Sequence, residues 1–378
     1  MEKVMYLAID VDDKSFTACG LYTEKGIEKS VEFKSKPSIG ALDQKLSKFK
    51  EQGFEIKVCY EATYLGFSLY RDIVSKGYAC EVIAPSSIPR APGHTVKTDR
   101  VDARKLVEYY KKDLLTLVQV PDAEVEVVRS LCRSRIFLTK QLKMLRKHIL
   151  SNCRQYGMNY KGSEAAPKNS TKPAYFTATH TNWLESVIEK SGSDILKFNL
   201  KMLLTQMQQI NHQIASVDSE IEKIAEDKKY KNKVDALVVY RGIDVLTAMV
   251  LITELGDIKR FSHPSKLVSY VGFDLREYSS GGRERRYGIS KMGNSRVRWL
   301  ITEASQSAHR IPAVSKRLRY RRENKKPEQI EIADRCMKRL YKKANHLVLA
   351  GKPINKVKVA CAREMLCFVW ESLNKVAA

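Results

Sequence analysis

The chain has 378 residues, 43% of them hydrophobic, which is enough to form two or three domains with apolar cores. It contains no run of about 18 apolar residues and lacks the basic start and apolar stretch of a signal peptide, so we expect a cytoplasmic protein without a membrane span. The 67 Lys and Arg residues against 43 Asp and Glu give a net charge of +24, which favours a polyanionic partner, most often nucleic acid.

The N-terminal pattern is that of an α/β domain. Strands are predicted within residues 4–35 (three of them), 56–60 and 80–84, and helices within 37–52, 65–76 and 98–112. Three strands, then helix, strand, helix, strand and helix is the order of an RNase-H-like (RuvC-like) domain, which we assign to residues 1–120. Other α/β folds share pieces of this order.

The middle of the chain, residues 121–230, is predicted to be built on long helices. Residues 123–156 follow one helical period, and 157–182 are rich in Gly, Ser, Thr, Lys and Pro, which predicts a flexible insertion. From Leu196 to Ile224 apolar residues recur in steps of four and three, which is typical of a coiled coil. The partner of this stripe is either residues 123–156 of the same chain or a second copy.

The last segment, residues 231–378, is predicted to be mostly helical. Residues 234–240 and 245–255 read as two helices around the turn Arg241-Gly242-Ile243-Asp244, which resembles a helix-hairpin-helix. Such a turn offers backbone N–H groups to a phosphate. Asp244 replaces the usual second glycine, so a packed helical corner is an equal alternative. Residues 328–372 predict a closing helical element.

Positive charge is concentrated between residues 258 and 326, where 18 Lys and Arg face 5 Asp and Glu. Such asymmetry favours contact with a phosphate backbone, although a charge run is usually a solvated face. The predicted nucleic-acid-binding residues here are Arg283, Arg285, Arg286, Lys291, Arg296, Lys316, Arg317, Arg319, Arg321 and Arg322. The eight cysteines form no Cys-x-x-Cys pair and have no histidine at finger spacing, so we expect reduced, mostly buried thiols rather than zinc.

Four carboxylates are predicted to meet at one edge of the N-terminal sheet. Asp10 ends the first strand, Glu61 ends the fourth, and Asp99 and Asp102 lie three residues apart on the last helix. Carboxylates gathered in this way repel one another unless a divalent cation neutralises them, and Mg²⁺ or Mn²⁺ prefers such oxygen ligands. Two such ions can activate the attacking oxygen and stabilise the leaving oxygen in phosphoryl transfer.

Competing interpretations exist around this cluster. Asp12 has the strand parity of Asp10 and lies beside Asp13, so either could replace it. Lys97 and Arg104 flank the helical pair and either contact phosphate or balance its charge. An actin-like ATPase shares the sheet, but residues 11–15 lack the glycines that its phosphate loop needs.

Several segments resemble a known family. The N-terminal ones are "AIDVDDKSF", "CYEATYLGFSLYRDIVSKGY", "VIAPSSI" and "VKTDRVDARKL", and the C-terminal ones include "RGIDVLTAMVLITELGDIKRFSHPSKLVSYVGF", "YSSGG" and "ISKMGNSRVRWLI". They resemble the DEDD-type insertion-sequence transposases, the group that includes the Piv-type DNA invertases and the bridge-RNA-guided recombinases. The resemblance covers most of the chain, excluding about residues 155–180 and the last forty.

The resemblance implies a serine recombinase with a composite active site. Its metal ligands correspond to Asp10, Glu61, Asp99 and Asp102, and its nucleophile to Ser280 in the element Tyr278-Ser279-Ser280-Gly281. It further implies donor and target DNA, a noncoding guide (bridge) RNA, and dimers that pair into tetramers. Ser279 is the main competitor for the nucleophile, and Tyr278 or Tyr287 would serve a tyrosine mechanism. Arg283, Arg285 or Arg286 could stabilise charge on the phosphate.

Three functions remain open at this point. The first is an RNA-guided DNA recombinase or transposase that forms a phosphoserine intermediate. The second is a RuvC-like nuclease or resolvase, in which water attacks and no covalent intermediate forms. The third is a non-catalytic RNA-binding scaffold. An invertase that works without a guide RNA also fits the resemblance.

Overall fold

The computed structural model describes residues 3–85, 88, 99–167, 174–280 and 283–377, without the side chains of 99–101, 278–280 and 283–286. The chain divides into two compact units, Met1–Pro121 and Asp122–Ala378. Across the described residues, no helix is both long and apolar enough to cross a membrane.

The described part of the first unit is a six-stranded mixed sheet with three helices. Its elements are β1 (Lys3–Val11), β2 (Phe16–Glu24), β3 (Ile27–Ser35), α1 (Ile39–Glu51), β4 (Phe54–Glu61), α2 (Ser68–Ser75), β5 (Ala79–Ile83), α3 (Asp99–Lys111) and β6 (Leu117–Val118). The strand order is β3-β2-β1-β4-β5-β6, with β1, β4 and β5 parallel and the other pairings antiparallel. This arrangement is the one expected for an RNase-H-like domain, and the predicted mixed α/β class is confirmed.

Successive residues of β1 supply two different cores, because side chains of a strand alternate between the faces of a sheet. Met5, Leu7 and Ile9 pack on the face that also holds buried residues of α1 and α2. Ala8 packs on the opposite face with the buried residues of α3, together with Cys59 of β4. Burial on both faces explains why the central strands read as continuous apolar runs.

The second unit begins with two long helices that pack against each other within the chain. These are α4 (Ala123–Gln155) and α6 (Asp194–Ala225), with α5 (Ala178–Glu189) between them. Arg135 pairs with Asp218 at 2.8 Å, whereas Cys153 shares an apolar cluster with Leu200, so the two helices run antiparallel. The heptad stripe of α6 therefore has a partner in its own chain. The predicted insertion 157–182 overlaps α5, which begins at Ala178.

The rest of the second unit is helical apart from one hairpin. Its elements are α7 (Lys228–Val238), α8 (Val245–Leu255), α9 (Pro264–Val271), β7 (Leu275–Ser280), β8 (Arg283–Ile289), α10 (Ser295–Ala304), α11 (Lys316–Arg322), α12 (Pro327–Leu349) and α13 (Ile354–Ala377). Val128 and Cys132 of α4 and Ile221 of α6 join the core of these helices. The long helices thus share a core with the C-terminal segment. The β7–β8 hairpin was not predicted.

The cysteines lie where the composition suggested. All eight are free thiols, seven of them buried and Cys367 half-buried. Burial raises the pKa of Cys59 well above its usual value and that of Cys80 to about 12, so these thiols are protonated and unreactive at neutral pH.

Candidate active site

Asp10 and Glu61 lie side by side at one edge of the first unit's sheet. The parallel register of β1 and β4 pairs Lys3 with Phe54 and runs unbroken to Ile9 with Tyr60, so the next positions are Asp10 and Glu61. Asp10 has the parity of Ala8 and Glu61 that of Cys59, and both of these pack under α3. The two carboxylates therefore belong to the same face of the sheet. Asp10 is half-buried and Glu61 is exposed.

The N-terminal end of α3 lies at the level of Asp10. At the other end of the helix the ring of Tyr110 meets Tyr6 of β1 edge to face, with centroids 5.6 Å apart. From Tyr110 back to Asp102 the helix rises about 12 Å, and from Tyr6 to Asp10 the strand rises about 13 Å. This match places Asp102 level with Asp10, on the face that α3 covers.

The donor set suits a hard divalent cation. Asp102 is half-buried in the first turn of α3, and Asp99 is the first residue of that helix, its side chain being outside the described part. Among the described side chains, no three Asp, Glu, His or Cys groups stand close enough together to hold a metal ion. The remaining donors, Asp10, Glu61 and Asp102, are all carboxylates, which Mg²⁺ and Mn²⁺ prefer. A bound ion would have to draw these oxygens together, with Asp99 as the fourth ligand.

Asp12 and Asp13 lie beyond the end of β1 in the turn to β2. Asp12 is exposed, and one of its carboxylate oxygens accepts a hydrogen bond of 2.9 Å from the backbone N–H of Lys14. The hydrogen bond between Asp13 and Tyr64 raises the pKa of the Tyr64 hydroxyl. Asp12 therefore serves the local turn and Asp13 contacts the segment after β4, so Asp10 is the better candidate ligand.

Ser280 is the last residue of β7, and Gly281 and Gly282 follow it in the sequence. It pairs with Arg283, the first residue of β8, while Ser279 pairs with Glu284 and Tyr278 with Arg285. Gly281 and Gly282 lie outside the described residues, as do the side chains of Ser280, Arg283, Arg285 and Arg286.

Two close backbone approaches fix the base of this hairpin. A Cβ atom added to Gly293 would lie 2.1 Å from the carbonyl oxygen of Tyr270, and one added to Gly272 would lie 2.3 Å from that of Met292. Both glycines also have positive φ angles, of 116° and 78°. Only glycine combines this backbone conformation with so short a contact. The segments before β7 and after β8 are thereby held together.

An ion pair between a buried carboxylate and an exposed arginine, which the sequence did not suggest, supports the same region. Glu254 of α8 is 3% exposed and accepts two hydrogen bonds from Arg133 of α4, at 2.6 and 2.9 Å, and one from Asn294 at 2.8 Å. Burial acts to raise the pKa of the Glu254 carboxyl, but the bonds from Arg133 and Asn294 outweigh it and hold the pKa below its usual value. Asn294 also caps α10, so this pair links α4 and α8 to the segment that follows the hairpin.

Two family models match separate parts of this chain. A family model described as "Transposase" and named for the DEDD transposases of IS110 matches residues 7–158, and one described as "Transposase IS116/IS110/IS902 family" matches residues 235–320. The chain is 33% identical to y4qE of Sinorhizobium fredii, whose name describes a transposase, over 87% of this chain and 77% of that protein.

The chain belongs to the IS110 family of insertion-sequence transposases. It is also 28% identical to the transposase for insertion sequence element IS1533 of Leptospira borgpetersenii, over 94% of this chain and all of that protein. A third relative, the transposase for IS1111A of Coxiella burnetii, is 24% identical over 63% of this chain and 62% of its own length. DNA is therefore a partner of this transposase, and cutting and rejoining DNA is its activity.

Most of the basic residues predicted to bind nucleic acid are exposed in the transposase, as far as their side chains are described. Lys291 and Arg296 lie after β8 and at the start of α10, while Lys316, Arg317 and Arg319 lie on α11. In the first unit Arg104 is exposed, 3.9 Å from Glu108 on the same helix. Lys97 lies outside the described residues.

Arg321 and Arg322 differ from these exposed residues, because both have partners within the transposase. Arg322 is 9% exposed, donates to the carbonyl oxygen of Val239 at 3.0 Å and lies 2.8 Å from Asp334. Arg321 donates to the carbonyl oxygens of Tyr240 and Ile243. These guanidinium contacts hold the turn between α7 and α8 and give the two arginines a structural role, while their predicted contact with nucleic acid stays a prediction.

The same turn has the geometry of a packed corner. A Cβ atom added to Gly242 would lie 2.3 Å from the carbonyl oxygen of Ala304, so the turn presses against the end of α10. The Asp244 side chain caps α8 by accepting from the N–H of Thr247 at 2.9 Å. That amide is consequently not available to a phosphate, and the geometry favours the packed corner over the phosphate-binding hairpin.

Proposed function

We propose that this transposase cuts and rejoins DNA through Ser280, with Mg²⁺ or Mn²⁺ held by Asp10, Glu61, Asp99 and Asp102. The observation that carries the metal part is the register of Asp10 and Glu61 on the α3 face, at the level of Asp102. For Ser280 the support is its place at the end of β7, directly before Gly281-Gly282, in the segment that resembles serine recombinases.

The chemistry required of the chain is a transesterification. The Ser280 hydroxyl oxygen attacks phosphorus, its proton passes to a base, and the bond from phosphorus to the leaving deoxyribose oxygen breaks. Rejoining is the reverse step, in which a deoxyribose hydroxyl of another strand attacks the phosphoserine. A divalent ion at the carboxylates would polarise the phosphate and stabilise the leaving oxygen. Arg283, Arg285 and Arg286 follow Ser280 on β8 and are proposed to neutralise the developing charge.

The test is detection of a covalent protein–DNA adduct. Wild-type protein, purified with its bound RNA, is incubated with Mg²⁺ and labelled DNA that carries candidate sites, then separated on a denaturing gel. We expect an adduct that is lost in Ser280→Ala and in Asp10→Ala but kept in Ser279→Ala. Peptide mapping of the adduct should identify Ser280 as the attached residue.

The hydrolytic alternative gives a different result in the same experiment. A RuvC-like nuclease would cleave DNA without any adduct and would be unaffected by Ser280→Ala, since water would be its nucleophile. The fold and the carboxylates are compatible with that chemistry. Cleavage that survives Ser280→Ala but not Asp10→Ala would overturn the serine mechanism and leave the metal site standing.

We also propose that a noncoding guide RNA selects donor and target DNA, and that dimers assemble into tetramers. Both proposals rest on the resemblance to bridge-RNA-guided recombinases, and the net charge of +24 is in keeping with two nucleic-acid partners. Ribonuclease treatment of the purified complex should abolish recombination, and the RNA transcribed from the flanks of the element should restore it. Activity unchanged by ribonuclease would indicate an invertase-like enzyme without a guide.

The molecular mass of the complex with DNA tests the proposed assembly of dimers into tetramers.

A further inference from the structure

A pocket lies between the end of α4 and the start of α5, within the segment that the sequence presented only as an insertion. Its volume is about 350 Å³, and the residues that line it include Arg154, Asn159, Tyr160, Lys161, Tyr175 and Trp183. This volume is within the range of small-ligand sites, roughly 300–1,000 Å³. Neither the carboxylates nor the β7–β8 hairpin contributes to the pocket, so the proposed chemistry does not account for it.

Aromatic rings form the inner wall of this pocket. Tyr160, Tyr175 and Trp183 surround His180, with ring centroids 4.7, 5.2 and 5.6 Å from the imidazole centre. Tyr160 is buried, whereas Tyr175 and Trp183 are half-buried and present part of their surface to the cavity. Such rings are stacking surfaces for planar groups, above all nucleobases.

His180, which is fully buried and also lines the pocket, supplies an unused hydrogen-bond donor. Its Nδ1 accepts a hydrogen bond of 3.1 Å from the backbone N–H of Phe176. Burial lowers the pKa of the imidazole, so the ring is neutral and carries its proton on Nε2. That Nε2 has no hydrogen-bond partner among the described residues. A buried donor without an acceptor is unusual in a protein core and suggests a ligand.

The rim of the pocket is positively charged. Arg154 and Lys161 are both exposed there, and no Asp or Glu is among the lining residues. Aromatic walls, an N–H donor and a cationic rim together match one nucleotide, with its base inside and its phosphate at the rim. A base paired and stacked in a duplex cannot enter such a pocket, whereas an unpaired base can.

We infer that the pocket formed by Tyr160, Tyr175, His180 and Trp183 binds an unpaired nucleotide of single-stranded nucleic acid. The base stacks on Tyr175 and Trp183 and accepts a hydrogen bond from His180 Nε2, while Arg154 and Lys161 contact the phosphate. RNA and single-stranded DNA share this chemistry. The site is independent of Ser280 and of the carboxylates, so it can be tested in a protein that does not cut DNA.

The test is the affinity of the full chain, carrying Ser280→Ala, for labelled single-stranded RNA and DNA oligonucleotides of the same mixed sequence. Fluorescence anisotropy is compared for Tyr175→Ala and Lys161→Gln. Matched controls are Tyr156→Ala and Lys147→Gln, which replace exposed residues of the same region that do not line the pocket. We expect Tyr175→Ala to weaken binding at least about fivefold. Lys161→Gln should lower the salt dependence of binding by about 0.7 in log–log slope.

The two oligonucleotides identify the source of the nucleotide. Weakening with both would indicate base and phosphate recognition alone, and weakening with RNA only would indicate that the 2′-hydroxyl is also read. Photo-cross-linking of 4-thiouridine RNA should attach to the peptide that spans Tyr175 to Trp183. Thermal unfolding of each variant checks that the fold is kept. Equal losses in pocket and control variants, together with cross-links that avoid this peptide, would overturn the inference.

Discussion

Asp10 and Glu61, fifty-one positions apart, stand next to each other at the ends of two parallel strands, and both belong to the face that α3 covers. This edge is where an RNase-H-like sheet can gather carboxylates from different parts of a chain. Because of this arrangement, substitutions can distinguish the proposed metal ligands from acidic residues that only lie nearby.

We expect Asp10→Asn to reduce metal-dependent DNA cleavage at least about a hundredfold, because an amide is a weaker ligand than a carboxylate and the contribution of a metal is worth several kcal/mol. Asp12→Asn, two residues away in the turn, should keep most of the activity, since the Asp12 carboxylate accepts a hydrogen bond from the backbone N–H of Lys14 that an amide oxygen can also accept. Cleavage rates with Mg²⁺ and Mn²⁺, and their loss with a chelator, measure both effects. Equal losses in the two variants would move the site towards the turn.

The base of the β7–β8 hairpin should be intolerant of any side chain at Gly293. An alanine Cβ there meets the Tyr270 carbonyl at 2.1 Å with φ at 116°, so we expect Gly293→Ala to destabilise the second unit by about 2–4 kcal/mol. A Cβ atom added to Gly192 would meet no atom within 4 Å, and its φ is not positive, so Gly192→Ala should leave the free energy of unfolding nearly unchanged. Urea unfolding followed by circular dichroism gives both values. A Gly293→Ala protein as stable as the control would contradict the proposed close approach.

The N-terminal domain was predictable from the sequence, whereas the hairpin was not. Central strands such as β1 and β4 are buried on both faces, so they appear as short apolar runs that end at Asp10 and Glu61. The strands β7 and β8 carry Arg, Glu and Ser with little alternation of apolar residues, and their geometry depends on distant contacts at Gly272 and Gly293. No local pattern encodes such contacts.

The sequence also did not determine which helix packs against α6. The heptads of α6 predicted a long amphipathic helix, but the same stripe fits a helix of its own chain or of a second copy. The Arg135–Asp218 pair is one of the contacts that tie α6 to α4 of the same chain. Counting charges has a limit that Arg321 and Arg322 illustrate. A basic run forms a charged surface only if its side chains reach solvent. These two arginines instead donate hydrogen bonds to backbone carbonyls, and Arg322 also pairs with Asp334.

We expect Glu254→Gln to destabilise the second unit by about 1–3 kcal/mol, because it weakens the charge-assisted hydrogen bonds that the buried carboxylate accepts from Arg133 and Asn294. The matched control is Glu371→Gln, which removes the exposed pair with Arg335 and should cost less than about 1 kcal/mol. The free energy of unfolding at pH 7 from urea titration compares them. A cost for Glu254→Gln no larger than that of the control would mean that the Arg133–Glu254 pair does not support the hairpin region.

The same ion pair predicts a dependence on pH. The pKa of Glu254 is lower in the folded state than its usual value of 4.5, so the unfolded chain binds a proton first as pH falls. Its stabilising contribution is complete above the unfolded pKa and is lost progressively as pH falls below about 4.5 and through the folded pKa. The difference in unfolding free energy between wild type and Glu254→Gln should therefore shrink between pH 5 and pH 3. A constant difference over that interval would show that the carboxyl does not titrate as proposed.

Arg319 and Arg322, three residues apart on α11, should separate DNA binding from stability. Arg322→Ala is expected to destabilise the second unit by about 2–4 kcal/mol, because it removes the buried guanidinium that bonds the Val239 carbonyl and pairs with Asp334. Arg319→Ala should leave unfolding unchanged, since its side chain is exposed, but weaken duplex binding and lower the log–log salt slope by about 0.9 if it contacts one phosphate. Anisotropy titrations over a range of salt concentrations, beside urea unfolding of both variants, give the comparison. A stable Arg322→Ala protein with reduced DNA affinity would return Arg322 to the nucleic-acid surface.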